Sequence, residues 1–198
     1  MLTKEQSKVF DDVTDWYKKV TSGEPVQKYW RIGGFAGTGK SYLTSYIINN
    51  LDLNSIIVAT YTWKAALVLQ SKGISIARSI HSVFYILSDP KSLNPIFRLR
   101  KKEELESTYD LIVIDEASML NYEMILNILS FGIPVLFVGD HGQLSPIEKT
   151  DYEIKNKKPF IQQCESLLTE IHRQALDSPI IRLSMDIRNN KTLKFGKY

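Results

Sequence analysis

The chain has 198 residues, 43% hydrophobic and 24% charged, with a formal net charge of +3 and one cysteine. That length holds one domain of roughly 150–200 residues, or one domain with a small insertion. The lone Cys164 excludes an intrachain disulfide framework and a zinc site built from cysteines. No apolar run approaches the ~18–20 residues of a membrane span, and the start, Met1-Leu2-Thr3-Lys4-Glu5-Gln6, leads into a charged amphipathic stretch unlike a signal peptide. The expectation is a soluble, intracellular protein, cytoplasmic and without a membrane partner. The mildly basic balance permits nucleic-acid contact without arguing for it.

In chain order, the first predicted element is a helix. Val9, Phe10, Val13, Trp16, Tyr17 and Val20 recur at three- and four-residue steps and give one apolar face. Thr3 with Gln6 three residues later fits a capping box, and Gly23 and Pro25 end the helix. Residues 29–33 then form a strand that runs into a glycine-rich loop, and 40–50 read as a helix. A short apolar run at 55–60 precedes a helix over 63–71. Further runs at 111–114 and 135–138 flank a helix over 122–129, with a strand at 166–171 and a closing helix at 179–188. Apolar runs of four to six residues alternating with helices predict an α/β fold whose mostly parallel sheet is covered on both faces. Residues 88–108 break the alternation with Asp89-Pro90, Asn94-Pro95 and a charged run at 98–104. They read as an insertion projecting from the sheet, a short hairpin or helix.

The chemistry begins at Gly34-Phe35-Ala36-Gly37-Thr38-Gly39-Lys40-Ser41, which matches G-x-x-x-x-G-K-[ST]. Glycines let the backbone wrap phosphate oxygens with successive N–H groups pointing inward, and the helix that follows adds its positive end. The pattern assigns Gly34, Gly37, Thr38 and Gly39 to the cradle, Lys40 to the β- and γ-phosphates of ATP, and Ser41 to Mg²⁺. At the end of a second run, Asp115 is placed to hold Mg²⁺ and Glu116 to polarise the attacking water. The competing reading makes these two acids the cap of the helix beginning near Asn121. A third strand end, at 139–143, leaves Gln143 where an amide can contact γ-phosphate and water. Open α/β sheets bind ligands at this carboxyl edge.

The combination resembles the first RecA-like domain of a superfamily 1B DNA helicase of the RecD/Dda type. The motifs occur in order over nearly the whole chain, and the resemblance implies a P-loop NTPase with a RecA-like α/β/α core. Leu2-Thr3-Lys4-Glu5-Gln6 is similar to the Q motif, whose glutamine (Gln6 here) reads adenine. Thr60-Tyr61-Thr62-Trp63-Lys64-Ala65-Ala66 resembles motif Ia, with Thr62 and Lys64 at its polar, single-strand-contacting positions. Ser79-Ile80-His81-Ser82 resembles the DNA-proximal segment after it, giving His81 and Ser82. Asp115-Glu116-Ala117-Ser118-Met119 resembles motif II, and Gly139-Asp140-His141-Gly142-Gln143-Leu144-Ser145-Pro146 resembles motif III, with Ser145 in place of a proline. Leu168-Thr169-Glu170-Ile171-His172-Arg173-Gln174 resembles motif IV, whose arginine, Arg173, meets the γ-phosphate. Trp63 sits where a smaller residue is usual, and either stacks on a base or packs on the sheet.

By the same resemblance, 1–87 and 109–198 form the ATPase domain, 88–108 occupies the position of the strand-separating pin subdomain, and the second RecA-like domain is absent from these residues. The partners implied are single-stranded DNA and a second RecA-like domain, from the same protein or another subunit. The 5′ to 3′ direction follows from the resemblance alone. Motor action needs two domains that close and open around ATP, so the 198 residues are expected to bind Mg·ATP weakly, hydrolyse it slowly and unwind nothing. Phe97 is a candidate base wedge. The cluster at 98–102 contacts nucleic acid or pairs with Glu103, Glu104 and Glu106. The alternatives are a stand-alone P-loop ATPase or nucleic-acid kinase, which needs a lid with extra arginines, and an ATP-dependent binding module lacking the catalytic acid.

Overall fold

The computed structural model describes residues 1–53, 55–88, 96–140, 142–143, 160–171, 178–188 and 191, with backbone alone at 185 and 188. The first helix, α1 (Lys4–Thr21), starts at the capping box that Thr3 and Gln6 form, and it buries Val9, Val13 and Trp16. Trp16 donates its indole N–H to the Gln27 carbonyl at 2.9 Å, which fixes the return of the chain toward the sheet.

The strands β1 (Tyr29–Gly34), β2 (Ile56–Thr60), β3 (Ala77–Ser79), β6 (Leu111–Asp115), β7 (Val135–Gly139) and β8 (Ser166–Leu168) form one sheet in the order β3-β2-β6-β7-β1-β8. Every pairing in it is parallel. Successive side chains of a strand point to opposite faces, and the core divides accordingly. Leu111, Val113, Leu136 and Val138 pack on one side with α1, α2 (Lys40–Asn50) and α3 (Trp63–Ser71). Ile112, Ile114, Val135 and Phe137 pack on the other with α4 (Ile80–Phe84), α5 (Lys102–Glu106) and α6 (Tyr122–Leu129). Burial on both faces is why these strands read as unbroken apolar runs. The closing helix α7 (Pro179–Arg188) has the expected bounds. The result is a three-layer α/β/α architecture of the P-loop NTPase kind, with the glycine-rich loop between β1 and α2.

Two features escape the periodicity. The strand β3 and helix α4 are three and five residues long, too short for a repeat to register. The strand expected over 166–171 stops at Leu168, where its pairing with Gly34 of β1 ends.

The described residues of the segment 88–108 include a short strand and a helix. Before it, β4 (Tyr85–Leu87) pairs antiparallel with β5 (Phe97–Leu99). Within it, α5 buries Leu105 in the core. Arg100 and Lys102 pair with Glu104 and Glu106 at 3.5 and 3.7 Å, one turn along. Among the described residues, no helix is long and apolar enough to cross a membrane.

The edge strand β8 is clamped to β1 by a near-buried ion pair. Arg31 Nη2 meets Glu165 Oε1 at 2.6 Å, while Arg31 Nη1 donates to the Phe160 carbonyl. The guanidinium also lies 5.3 Å from the Tyr29 ring centre and 4.9 Å from that of Phe160.

Candidate nucleotide site and nucleic-acid edge

Because the six strands run parallel, their carboxyl ends share one edge, and every motif singled out above among the described residues follows one of those ends or, for Gln6, packs against it. The glycine-rich loop follows β1. Gly37 and Gly39 adopt φ of 85° and 78°, a left-handed backbone that disfavours side chains. Gly34 is required for room: a Cβ there would meet Thr38 Oγ1 at 2.8 Å and Leu168 Cβ at 3.1 Å. Gly39 is the N-cap of α2 and supplies no side-chain cap, so the first-turn N–H groups of an 11-residue helix face the loop unscreened. Lys40, the first residue of α2, donates its ammonium to the carbonyls of Gly34 and Phe35 at 2.7 and 2.8 Å. Ser41 follows it in the first turn.

Gln6 reaches this loop from α1. Its Oε1 accepts from the Thr3 N–H at 3.1 Å, and its Nε2 donates to the Thr38 carbonyl at 3.3 Å. The amide is 1% exposed. The side chain that caps α1 therefore also ties α1 to the phosphate loop. Beside it, Glu5 accepts from the N–H groups of Thr169 and Glu170 and from the Thr169 hydroxyl at 2.7 Å, fastening α1 to the end of β8. Burial pushes the Glu5 carboxyl up, but these hydrogen bonds outweigh it and leave its pKa below the usual value. Nothing in the sequence marks Glu5 for this part, because its partners lie more than 160 residues away.

Across β7 from the loop, β6 ends in Asp115, which is buried at 8% exposure. Burial raises its pKa, against the lowering effects of the Glu116 N–H and of the Lys40 and Lys72 charges. A buried carboxylate at the sheet edge that carries the glycine-rich loop suits Mg²⁺, which is usually held by one or two protein oxygens together with substrate phosphates. Among the described residues no group of three or more His, Cys, Asp or Glu is gathered where it could hold a metal ion.

Glu116 adopts φ 57° and ψ 37°, and among the described residues it alone is a non-glycine with positive φ. Such a conformation costs about 1–2 kcal/mol and persists where surrounding structure imposes it. It turns the chain away from β6 and leaves the Glu116 side chain exposed while Asp115 is buried. Burial, then the neighbouring Asp115 charge, raises the Glu116 pKa. Neither acid caps the next helix: Asn121 does so, accepting from the Met124 N–H at 2.8 Å.

Gln143 lies beyond β7 in a turn that Asp140 organises by accepting from the Gly142 N–H at 2.9 Å. Its Oε1 accepts from the Ser118 hydroxyl, also at 2.9 Å. Arg173 and His141 lie outside the described residues.

The same edge carries the nucleic-acid candidates. Thr62 caps α3 by accepting from the Ala65 N–H, and Thr62, Trp63 and Lys64 are exposed. Trp63 is 68% exposed and does not pack on the sheet. His81 and Ser82 sit exposed on α4. The His81 ring centre lies 5.5 Å from that of Tyr85 and 5.6 Å from that of Phe97, so the imidazole bridges α4 and the hairpin. Phe97 itself is 56% exposed.

A family model described as an AAA domain matches residues 2–198. The ATP-dependent DNA helicase Dda of Enterobacteria phage T4 is 30% identical over 198 residues, which cover 92% of this chain and 44% of that protein. The ATP-dependent RecD2 DNA helicase of Deinococcus radiodurans is 28% identical over 203 residues, covering 98% of this chain and 25% of that protein. The chain thus spans less than half the length of these curated relatives. Among solved structures, unliganded Pif1 from Bacteroides sp superposes with a TM-score of 0.61 at 24% identity, covering 98% of this chain and 47% of that one. Pif1 bound to ssDNA, also from Bacteroides, gives 0.61 at 23% identity over the same shares, and both likenesses bear on the fold. The chain belongs to the AAA domain family, whose model covers nearly all of it.

Proposed function

We propose that these 198 residues are the first motor domain of a 5′ to 3′ DNA helicase, which binds Mg·ATP at the β1 loop and single-stranded DNA along the neighbouring strand ends. The observation that carries this reading is the gathering of three elements on one sheet edge: the left-handed glycine loop with Lys40, the buried Asp115 and the strained Glu116.

In this reading the loop N–H groups and the start of α2 hold the phosphates. Lys40 exchanges its bonds to the Gly34 and Phe35 carbonyls for β- and γ-phosphate oxygens. Ser41 and Asp115 would hold Mg²⁺, which when bound neutralises phosphate charge during phosphoryl transfer. Glu116 orients and deprotonates the attacking water, Gln143 contacts the γ-phosphate, and Arg173 adds positive charge to it. Gln6 would read the adenine from the start of α1 by exchanging its bond to the Thr38 carbonyl for one to the base. Thr62, Lys64, His81 and Ser82 meet the sugar–phosphate backbone, which is why binding is expected to weaken with salt. The segment 88–108 with the preceding strand β4 forms the pin position. A second RecA-like domain, wherever it is encoded, completes the cleft, so the 198 residues alone bind nucleotide and displace no strand.

Titration with a fluorescent ATP analogue tests the site, and a forked duplex tests the motor. The proposal expects saturable, Mg²⁺-dependent binding that Lys40→Ala weakens at least about tenfold, the loss of a charge-assisted bond or two, and no strand displacement. Binding indifferent to Lys40→Ala would remove the nucleotide reading. Unwinding by the purified monomer would remove the requirement for a second domain.

A further inference from the structure

Gln143 has two chemically different ends, an acceptor oxygen and a donor NH₂, and which of them faces the nucleotide decides what it can sense. Its Oε1 is engaged by the Ser118 hydroxyl at 2.9 Å. Ser118 is 6% exposed and stands on the short 3₁₀ turn Ala117–Met119, which the left-handed Glu116 backbone folds back toward β7. That approach is close because β7 ends in glycine: a Cβ on Gly139 would meet the Ser118 N at 3.0 Å and the Ala117 N at 3.4 Å. On the other side, the Gln143 N–H donates to the Asp140 carbonyl at 3.1 Å, which fixes the backbone from which the side chain reaches Ser118. The loops after β6 and β7 are thus joined by one side-chain bond, and that bond holds the Gln143 side chain in place.

We infer that Ser118 is a positioning residue for Gln143: with Oε1 held on the Ser118 hydroxyl, as here, the NH₂ is left for the γ-phosphate. This rests on the nucleotide site proposed above. A donor aimed at an anionic oxygen forms a charge-assisted bond with ATP that ADP cannot form. The acceptor end would repel the same oxygen. Without the Ser118 hydroxyl the Gln143 side chain loses its anchor, and discrimination between ATP and ADP falls although Gln143 is still present. The water-positioning acid Glu116 sits two residues before Ser118 on the same turn, so the bond also sets the spacing between acid and amide.

The test is the ratio of ADP to ATPγS dissociation constants for the 198-residue protein, measured with Mg²⁺ by displacement of a fluorescent ADP. Gln143→Ala should lower that preference for ATPγS about tenfold, the worth of one hydrogen bond to a charged group. Ser118→Ala should lower it about fivefold to tenfold, with the thermal midpoint within a few degrees of the parent, and the double variant should fall no further than Gln143→Ala. Ser118→Thr, which keeps the hydroxyl, should restore most of the preference. Ser118→Cys, near in size but a weak donor, should behave like alanine and serves if the alanine variant fails to fold. An unchanged ratio in Ser118→Ala and Ser118→Cys while Gln143→Ala loses its preference would overturn the inference alone, as would losses that multiply in the double variant. Affinity for both nucleotides unaffected by Lys40→Ala would overturn the site and the inference together.

Discussion

Glu116 concentrates the chemistry of the site at a single residue. Its backbone is left-handed, its side chain is exposed beside a buried acid, and burial and that acid's charge together raise its pKa. Backbone strain of this kind recurs at active sites, and in the proposed function Glu116 is the water-activating base. Glu116→Gln should cut ATP turnover by at least about 100-fold, the usual worth of general-base catalysis, while the affinity for a fluorescent nucleotide stays within about twofold. Turnover that survives the change would assign the base elsewhere. The other informative residue lies beneath the site. Burial pushes the Glu165 carboxyl up, yet hydrogen bonds from the side chains of Arg31 and Gln27, and from the Arg31 N–H, leave its pKa below the usual 4.5. A carboxyl depressed on folding stabilises the native state fully above its unfolded pKa, and that stability is lost as pH falls through its folded value. Glu165→Gln should therefore cost about 2–4 kcal/mol at pH 7, somewhat less than breaking a fully buried pair. It should also flatten the acid fall in stability, measured as urea midpoints from pH 7 down to about 3.

At the scale of elements, two joints hold the site together. One is the fastening of α1 to the end of β8 through Glu5. Glu5→Gln weakens three donors' claim on a charged acceptor, so faster amide exchange at Thr169 and Glu170 is expected, without change at the centre of β6. Unchanged exchange there would show that β8 is held by its pairing with β1 alone. The other joint is Gly139 against the turn after β6. Gly139→Ala should lower stability by about 1–3 kcal/mol, as small-to-large changes in packed interiors do, because its Cβ meets backbone that cannot step aside. Urea unfolding of the variant measures this. The elements themselves were largely legible in the sequence. Helices α2, α3, α6 and α7 have the expected bounds: α6 and α7 carry an apolar face at helical spacing, while α2 and α3 were legible from their places between apolar runs. The strand β3, Ala-Arg-Ser, has no apolar run and is recruited by its neighbour β2. The joints were not legible: Glu5 with Thr169, Gly139 with Ser118, and His81 with Phe97 pair residues whose proximity only the folded sheet creates. The motif residues were readable as chemistry, while their mutual support was not.

At the scale of the whole molecule, parallelism does the organising. Six strands pointing the same way place a phosphate loop, an acid pair, an amide and the exposed Thr62, Trp63, Lys64 and His81 on one edge. A nucleotide there and a nucleic acid there would share the turns that follow β2, β6 and β7. The domain spans less than half of its curated relatives, and the proposed cleft closes only when a second domain meets this edge. Steady-state ATP hydrolysis by the purified 198-residue protein, with and without single-stranded DNA and with Lys40→Ala as the blank, tests this most directly. The account predicts a low rate above the blank that DNA changes less than about twofold, since a single domain cannot transmit DNA binding through cleft closure. A high rate strongly stimulated by DNA would contradict it, and would mean that these residues complete the cleft by themselves or by self-association.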